Sequence, residues 1–130
     1  MSHFTQVKTN VTNQRILRQA LKKMGFEIVE QEGGVDVRGY FGEKIAAEFK
    51  ILTDTHYDIG FRKAADGSYE IVADWELMPR VAGITKEDFS AKVKREYAKE
   101  TIIDTAKAQG YEVQVEEQED GQMELVVTQW

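Results

Sequence analysis

The sequence predicts an α+β fold in which a single antiparallel β-sheet of about seven or eight strands carries two helices on one face. Two observations support this class. Apolar and polar residues alternate with a period of two between Phe26 and Trp75, which is typical of half-buried strands. Two other segments have apolar residues at helical spacing and end at a glycine. The predicted order is one strand, a helix, five strands, a helix and two strands, in one domain covering residues 1–130.

The first two elements are a short strand within residues 2–8 and an amphipathic helix. Thr12 and Asn13 offer side-chain oxygens for the helix N-cap, and Gly25 supplies its left-handed end. The apolar stripe of this helix consists of Ile16, Leu17, Ala20, Leu21 and Met24.

The middle of the chain is predicted to be a meander of five short antiparallel strands. The first strand begins at Phe26, and Gly33-Gly34 is expected to turn the chain into the second. Asp66-Gly67 is a strong signal for a further hairpin. Each strand has one apolar and one polar face, which is the pattern of an antiparallel sheet with one wet side.

The last third is predicted to hold the longest helix and a final hairpin. Thr85 with Asp88 resembles a capping box, and the helix is expected to run to about Gln109. Two strands follow, joined at Asp120-Gly121. Because both helices end in a glycine followed by an aromatic residue and a strand, two βαββ units related by a pseudo-twofold axis would also explain the pattern.

The charges are unevenly distributed along the chain. The 17 Lys and Arg residues and 23 Asp and Glu residues give a net charge of −6, yet residues 1–25 contain bases and no acid, and residues 101–130 are strongly acidic. An acidic chain without a basic tail argues against nucleic-acid binding and favours a protein partner, including a second copy of this chain. No apolar run is long enough to span a membrane, so we expect a soluble cytoplasmic protein.

Groups for catalysis or metal binding are scarce. The chain has no cysteine, and neither His3 nor His56 has the spacing of a metal-binding or catalytic motif. His56 and Asp58 would share a strand face, where a chelate is geometrically feasible, but a polar turn is the favoured interpretation of this segment. The sequence therefore predicts no catalytic residues, no metal site and no cofactor.

The sheet face opposite the helices is expected to be open. It should carry charged and aromatic side chains, including Arg38, Tyr40 and Asp58. A solvated ladder of ion pairs is one interpretation. The other is a recognition surface, because Arg and Tyr are frequent anchors in protein interfaces. Trp75 is either a further anchor or part of the core.

Several motifs resemble a known family. They are the opening Met-Ser-His-Phe-Thr-Gln-Val-Lys-Thr, Val37-Arg-Gly-Tyr40, Tyr57-Asp-Ile-Gly-Phe61, Tyr69-Glu-Ile-Val-Ala-Asp-Trp75, Lys94-Arg-Glu-Tyr-Ala98 and Gln129-Trp130. In this order they resemble domain of unknown function 1257, which includes the hypothetical plastid reading frame 35 proteins. No activity or cofactor can be inferred from the resemblance. For organelle-encoded relatives it implies a location in the plastid stroma. It selects as candidate binding residues His3, Arg38, Tyr40, Tyr57, Asp58, Asp74, Trp75, Arg95 and Tyr97.

Two functions remain open at this level. The first is a non-enzymatic protein-interaction module that uses the open sheet face, with another protein or a second copy as partner. The second is a small-molecule or nucleotide-binding regulatory domain, in which Arg38, Tyr40, Arg62 and Trp75 surround an anionic or aromatic ligand.

Overall fold

The computed structural model describes residues 4–39, 42–120 and 122–129. Within these residues it contains seven strands and three helices. In chain order they are β1 (Phe4–Lys8), α1 (Gln14–Lys23), β2 (Ile28–Arg38), β3 (Lys44–Leu52), β4 (Asp58–Lys63), β5 (Tyr69–Asp74), α2 (Met78–Val81), α3 (Lys86–Ala108), β6 (Tyr111–Glu117) and β7 (Met123–Gln129). The predicted α+β class is confirmed.

The helix ends follow from local side-chain chemistry. Asn13 is the N-cap of α1, and its side-chain oxygen accepts a hydrogen bond from the Ile16 amide at 3.1 Å. Thr85 caps α3 in the same way, with the Asp88 amide donating to its hydroxyl at 3.2 Å. Gly25 follows α1 with a φ of 93°, the left-handed conformation expected after a helix. The short helix α2 lies in a segment that the sequence pattern left irregular.

The main sheet has five antiparallel strands in the order β1-β5-β4-β3-β2. Both long helices pack on one face of this sheet, as predicted. Leu17 of α1 and Phe89 of α3 belong to the same buried cluster as Phe49 and Phe61 of the sheet. The rings of Phe49 and Phe61 stack across β3 and β4 with centroids 5.0 Å apart.

The last two strands form a separate sheet, so the expectation of one continuous sheet is wrong. β6 and β7 pair only with each other among the described residues, and we call this hairpin the ribbon. β5 already has β1 and β4 as neighbours, so the ribbon cannot join beside it. It packs on α3 instead, where Glu117 lies 3.6 Å from Arg95 and 3.8 Å from Lys99. The suggested pseudo-twofold of two βαββ units is therefore absent, because β2 and β3 join the main sheet and β6 and β7 do not.

Gly33-Gly34 does not turn the chain, which corrects the prediction of five strands between Phe26 and Trp75. β2 runs through both glycines, and four strands occupy this region. Glu30 pairs with Phe49, and Val35 pairs with Ala47. The two paired residues are therefore five positions apart in β2 but only two positions apart in β3, so β2 contains extra residues at this point. This irregularity is a bulge, and bulges bend a strand. A bulge and a turn both use residues with positive φ, and Gly33 and Gly34 have φ values of 86° and 100°.

Three bases near the start of the chain form ion pairs with acids of the same molecule. Arg15 of α1 binds Asp104 of α3 through two hydrogen bonds of 2.9 and 3.0 Å. Lys23 lies 2.5 Å from the buried Glu100, and Arg18 pairs with Glu30. These pairs join α1 to α3 and to β2. Part of the positive charge near the N-terminus is therefore used in contacts that hold α1 against α3 and β2.

No helix in the described part of the chain is both long enough and apolar enough to cross a lipid bilayer.

Candidate functional site

The sheet face opposite the helices is covered by the far half of the β2–β3 hairpin. We call residues 35–39 and 42–47 the arm. Gly60 lies between Ile59 and Phe61, whose side chains are in the helix-side core, so Gly60 faces away from the helices. A Cβ atom at Gly60 would overlap the Cγ2 atom of Val37 and lie 3.2 Å from the Cβ atom of Ala47. The arm therefore rests directly on β4.

The arm reaches across the sheet to its other edge. A Cβ atom on Gly39 would lie 2.7 Å from the Phe4 ring of β1, so the tip of the arm packs on that ring. Phe4 and Val29 pack against a second buried cluster formed by Val35, Val37 and Ala47. The bulge in β2 provides the bend that brings these residues back over the sheet.

The expectation of an open, solvated face is consequently wrong. Asp58 is 0% exposed and Asp74 is 2% exposed, because the arm and the loop after β5 exclude water from them. Arg38 lies on the arm itself, with 44% of its side chain exposed. The physical reason is the bulge, which bends β2 so that the hairpin closes over its own sheet.

Asp58 is the centre of a buried ionic network. Arg38 donates three hydrogen bonds to its carboxylate, one from the backbone amide at 2.9 Å and two from the guanidinium at 2.9 and 2.8 Å. Lys50 adds a fourth at 2.9 Å and also donates to the Asp36 carbonyl at 2.8 Å. This network ties the arm to β3 and β4, and its hydrogen bonds compensate for removing the carboxylate from water.

Opposing effects act on the pKa of Asp58. Burial alone would raise it and is the largest single influence, but the hydrogen bonds from Arg38 and Lys50 together hold the pKa below its ordinary value. The same pairing raises the pKa of the Arg38 guanidinium above its ordinary value. Both ions of the pair therefore stay charged at neutral pH.

The network should make stability depend on pH at the acid end. The pKa of Asp58 is lower in the folded chain than its ordinary value of 3.8, so as the pH falls the unfolded chain takes up the proton first. The contribution of Asp58 is complete above pH 3.8 and is lost as the pH falls through the folded pKa. We expect the difference in unfolding free energy between the wild type and Asp58→Asn to shrink below pH 3.8 in urea titrations. A difference that stayed constant with pH would contradict the network.

Other predicted residues on this face are also engaged. Arg62 donates to Glu70 at 3.0 Å and to Gln6 at 2.5 Å. Asp74 accepts a hydrogen bond of 3.2 Å from the Leu77 amide and so shapes the turn after β5. These contacts favour a structural role for both side chains.

Trp75 belongs to the core. It is 7% exposed, and its ring centroid lies 5.9 Å from that of Phe89. Its indole Nε1 has no hydrogen-bond acceptor among the described residues. Arg38 and Arg62 both bind carboxylates, so the residues proposed to surround a small ligand do not form a free cationic site.

The remaining candidates lie in three different places. Tyr57 packs against the main core directly before β4. Tyr97 packs there from α3, and its hydroxyl accepts a hydrogen bond of 3.1 Å from the Asn13 amide. Arg95 faces the ribbon through Glu117. His3 and Tyr40 lie outside the described residues.

The segment between β3 and β4 is a polar turn. His56 is exposed, and the hydroxyls of Thr53 and Thr55 donate to the Tyr57 carbonyl at 2.7 and 3.1 Å. Asp58 points instead into the network with Arg38. Within the described ranges, no group of three or more His, Cys, Asp and Glu side chains could hold a metal ion.

The outer face of the ribbon is an exposed surface on which none of the candidate residues lies. It points away from α3, and all its described side chains are exposed. They are Glu112, Gln114, Glu116, Glu124, Val126 and Thr128. The register places Gln114 opposite Val126 and Glu116 opposite Glu124.

Two features of this face are unusual for a merely solvated surface. Glu116 and Glu124 are directly opposed like charges, an arrangement that destabilises a strand pair. Val126 is 42% exposed at the centre of the face. The sequence did contain a signal for it, since Val126 is an apolar residue at a position where the alternation of β7 expects a polar one.

The fold thus defines a class of α+β protein that combines a five-stranded sheet, an arm folded over that sheet and an acidic two-stranded ribbon. The chain belongs to the family of proteins of unknown function DUF1257, whose model matches residues 5–126. This confirms the resemblance found in the motifs.

Relatives match along the whole chain. "Uncharacterized protein ycf35" of Cyanophora paradoxa is 33% identical over 131 aligned residues, which cover 100% of this chain and 98% of the relative. The proteins of the same description from Pyropia yezoensis and Guillardia theta are 30% and 28% identical, each with the same coverage of 100% and 98%. No solved structure matches the chain significantly.

Proposed function

We propose that this protein is a non-enzymatic interaction module that docks a basic segment of another protein on the outer face of its ribbon. The observation that carries the proposal is the pair Glu116 and Glu124, held opposite each other on an exposed face. A Lys or Arg side chain placed between the two carboxylates would convert a repulsion into two attractive contacts.

The surroundings of the pair support a basic partner. Glu112 adds a third acid to the same face, and residues 109–130 contain no Lys or Arg. Among the described residues, the one side chain found to hydrogen-bond to Glu116 or Glu124 is the neutral Gln118, which donates to Glu124 at 3.0 Å. Exposed Val126 offers an apolar contact between the acidic positions. The sheet face that the sequence suggested as the docking surface is covered by the arm. We therefore propose the outer face of the ribbon as the docking surface instead.

The test neutralises the pair and measures two properties with opposite expected changes. In Glu116→Gln/Glu124→Gln, binding of a labelled peptide of alternating Lys and Thr should weaken by at least about threefold, since two exposed ion pairs are lost. The same variant should unfold at a slightly higher urea concentration, because the cross-strand repulsion is removed. Fluorescence polarisation and circular dichroism measure the two changes.

A matched control separates this site from net charge. Glu27→Gln/Glu32→Gln neutralises two exposed acids away from the ribbon and changes the net charge equally. It should bind the peptide like the wild type. Equal weakening in both variants would mean diffuse attraction and would contradict the site. Failure of the wild type to bind the Lys-Thr peptide more tightly than a Glu-Thr peptide would overturn the proposal.

The location follows as a further expectation. We place the module in the cytoplasm, or in the plastid stroma in organelle-encoded relatives. Cell fractionation with an antibody to the chain would test this, and recovery with the membrane pellet after a salt wash would contradict it.

A further inference from the structure

The ribbon has a second unusual property, which concerns its edges instead of its face. A two-stranded sheet leaves one edge of each strand without a partner, and such edges are templates for pairing with another chain. Within the described residues, β6 and β7 pair with no other strand.

We propose that the β7 edges of two copies of this chain pair antiparallel, so that two ribbons form one four-stranded sheet in a symmetric dimer. β7 runs from Met123 to Gln129, and Val126 is its middle residue. Full overlap of two antiparallel copies therefore places Val126 opposite Val126 of the partner subunit. A twofold axis passes between them, as a closed dimer requires.

The side chains on the exposed face suit this register. With Val126 on the axis, Glu124 lies opposite Thr128 of the partner subunit, so no two acids face each other. The two exposed valines come into contact, a favourable cross-strand pair. The two Val126 side chains cover part of each other in the assembly, which reduces the exposure of an apolar side chain that is 42% exposed in the single chain.

The β6 edge is unsuited to the same pairing. Its middle residue is Gln114, and full antiparallel overlap places Glu112 opposite Glu116 of the partner subunit on both sides of the axis. Four carboxylates would then form two like-charge pairs, which disfavour that register. Pairing of β6 with β7 of another copy would repeat the opposition of Glu116 and Glu124 and would produce an open filament instead of a closed dimer.

The dimer does not depend on the proposed function, because it uses the edge of the ribbon and leaves the outer face accessible. In the four-stranded sheet the two acidic faces become continuous. The dimer is measured by mass and the docking by peptide binding, so either one can fail without the other.

Single-cysteine variants test the register directly, since the chain has no native cysteine. In Val126→Cys the two thiols lie opposite each other, and mild oxidation with diamide should convert most of the protein into a disulfide-linked dimer. Thr128→Cys is the matched control. Its two thiols would be offset by four residues, about 13 Å along the strands, and should not cross-link. Equal cross-linking of both variants, or of neither, would overturn the proposed register.

Charge variants test the dimer without covalent chemistry. Wild-type protein should sediment as a dimer, and Val126→Glu and Val126→Lys should each raise the dissociation constant by at least about tenfold through like-charge contact. A mixture of the two variants should restore the dimer. Gln114→Glu and Gln114→Lys place the same charges on the β6 edge and should leave the mass unchanged. A wild type that remains monomeric at every concentration overturns the inference, as does failure of the mixture to associate.

Discussion

Asp58→Asn should lower the free energy of unfolding by about 3 kcal/mol, the low end of the cost of breaking a buried ion pair. The asparagine keeps the shape of the side chain but leaves Lys50, which is 14% exposed, beside a neutral group. Arg38 limits the loss because 44% of its side chain already contacts water. Urea unfolding followed by circular dichroism gives the change, and a decrease of about 10 °C in the melting temperature should accompany it.

The effect of Asp58→Asn should be concentrated in the arm. The Arg38 amide donates to the Asp58 carboxylate at 2.9 Å, so its hydrogen exchange should accelerate more than that of the helix-side core. Asp36→Asn is a suitable control, because Asp36 is an exposed acid of the same arm and only its carbonyl contacts Lys50. If both variants were as stable as the wild type, the network would not hold the arm in place.

This role for Arg38 and Asp58 differs from the recognition surface that the sequence suggested. Both residues belong to sequence motifs on which the family resemblance rests, and the sequence placed both on one sheet face. In the structure Asp58 begins β4, and Arg38 reaches it from the arm. Their contact with each other, however, leaves the carboxylate no access to a partner, since Asp58 is 0% exposed. Their pairing stabilises the arm, and the docking surface that we propose lies on the ribbon.

Local features of the fold could be predicted because short-range chemistry determines them. The caps at Asn13 and Thr85 satisfy amides three residues further on, and the glycines after both long helices take up positive φ. Alternation also identified which residues of β4 face the helices. Each of these inferences needs only a few neighbouring residues.

The covering of the second sheet face could not be predicted, because it depends on contacts between distant parts of the chain. Gly33-Gly34 is compatible with both a turn and a bulge, and only the pairing with β3 decides between them. The charges of Arg38, Lys50 and Asp58 are equally compatible with a solvated ladder. A clue was present at Gly60, since a glycine inside a strand often marks the close approach of another backbone or side chain.

Gly60→Ala should therefore destabilise the protein, although alanine is ordinarily tolerated at a strand position without positive φ. The added methyl group would overlap Val37, a branched and fully buried side chain that has little freedom to move. We expect a loss of about 1–3 kcal/mol in unfolding free energy, the usual cost of overpacking a core. Urea unfolding of the single variant gives this value.

A double-mutant cycle with Val37→Ala determines whether the contact between arm and sheet is responsible. Val37→Ala alone should cost roughly 2 kcal/mol through the cavity that it leaves. In Gly60→Ala/Val37→Ala the new methyl group enters that cavity, so the double variant should be more stable than the sum of the single losses by about 1–2 kcal/mol. Purely additive losses would mean that the two residues do not touch. Because Gly60 faces away from the helices, a favourable coupling energy would demonstrate in solution that the arm covers the second face of the sheet.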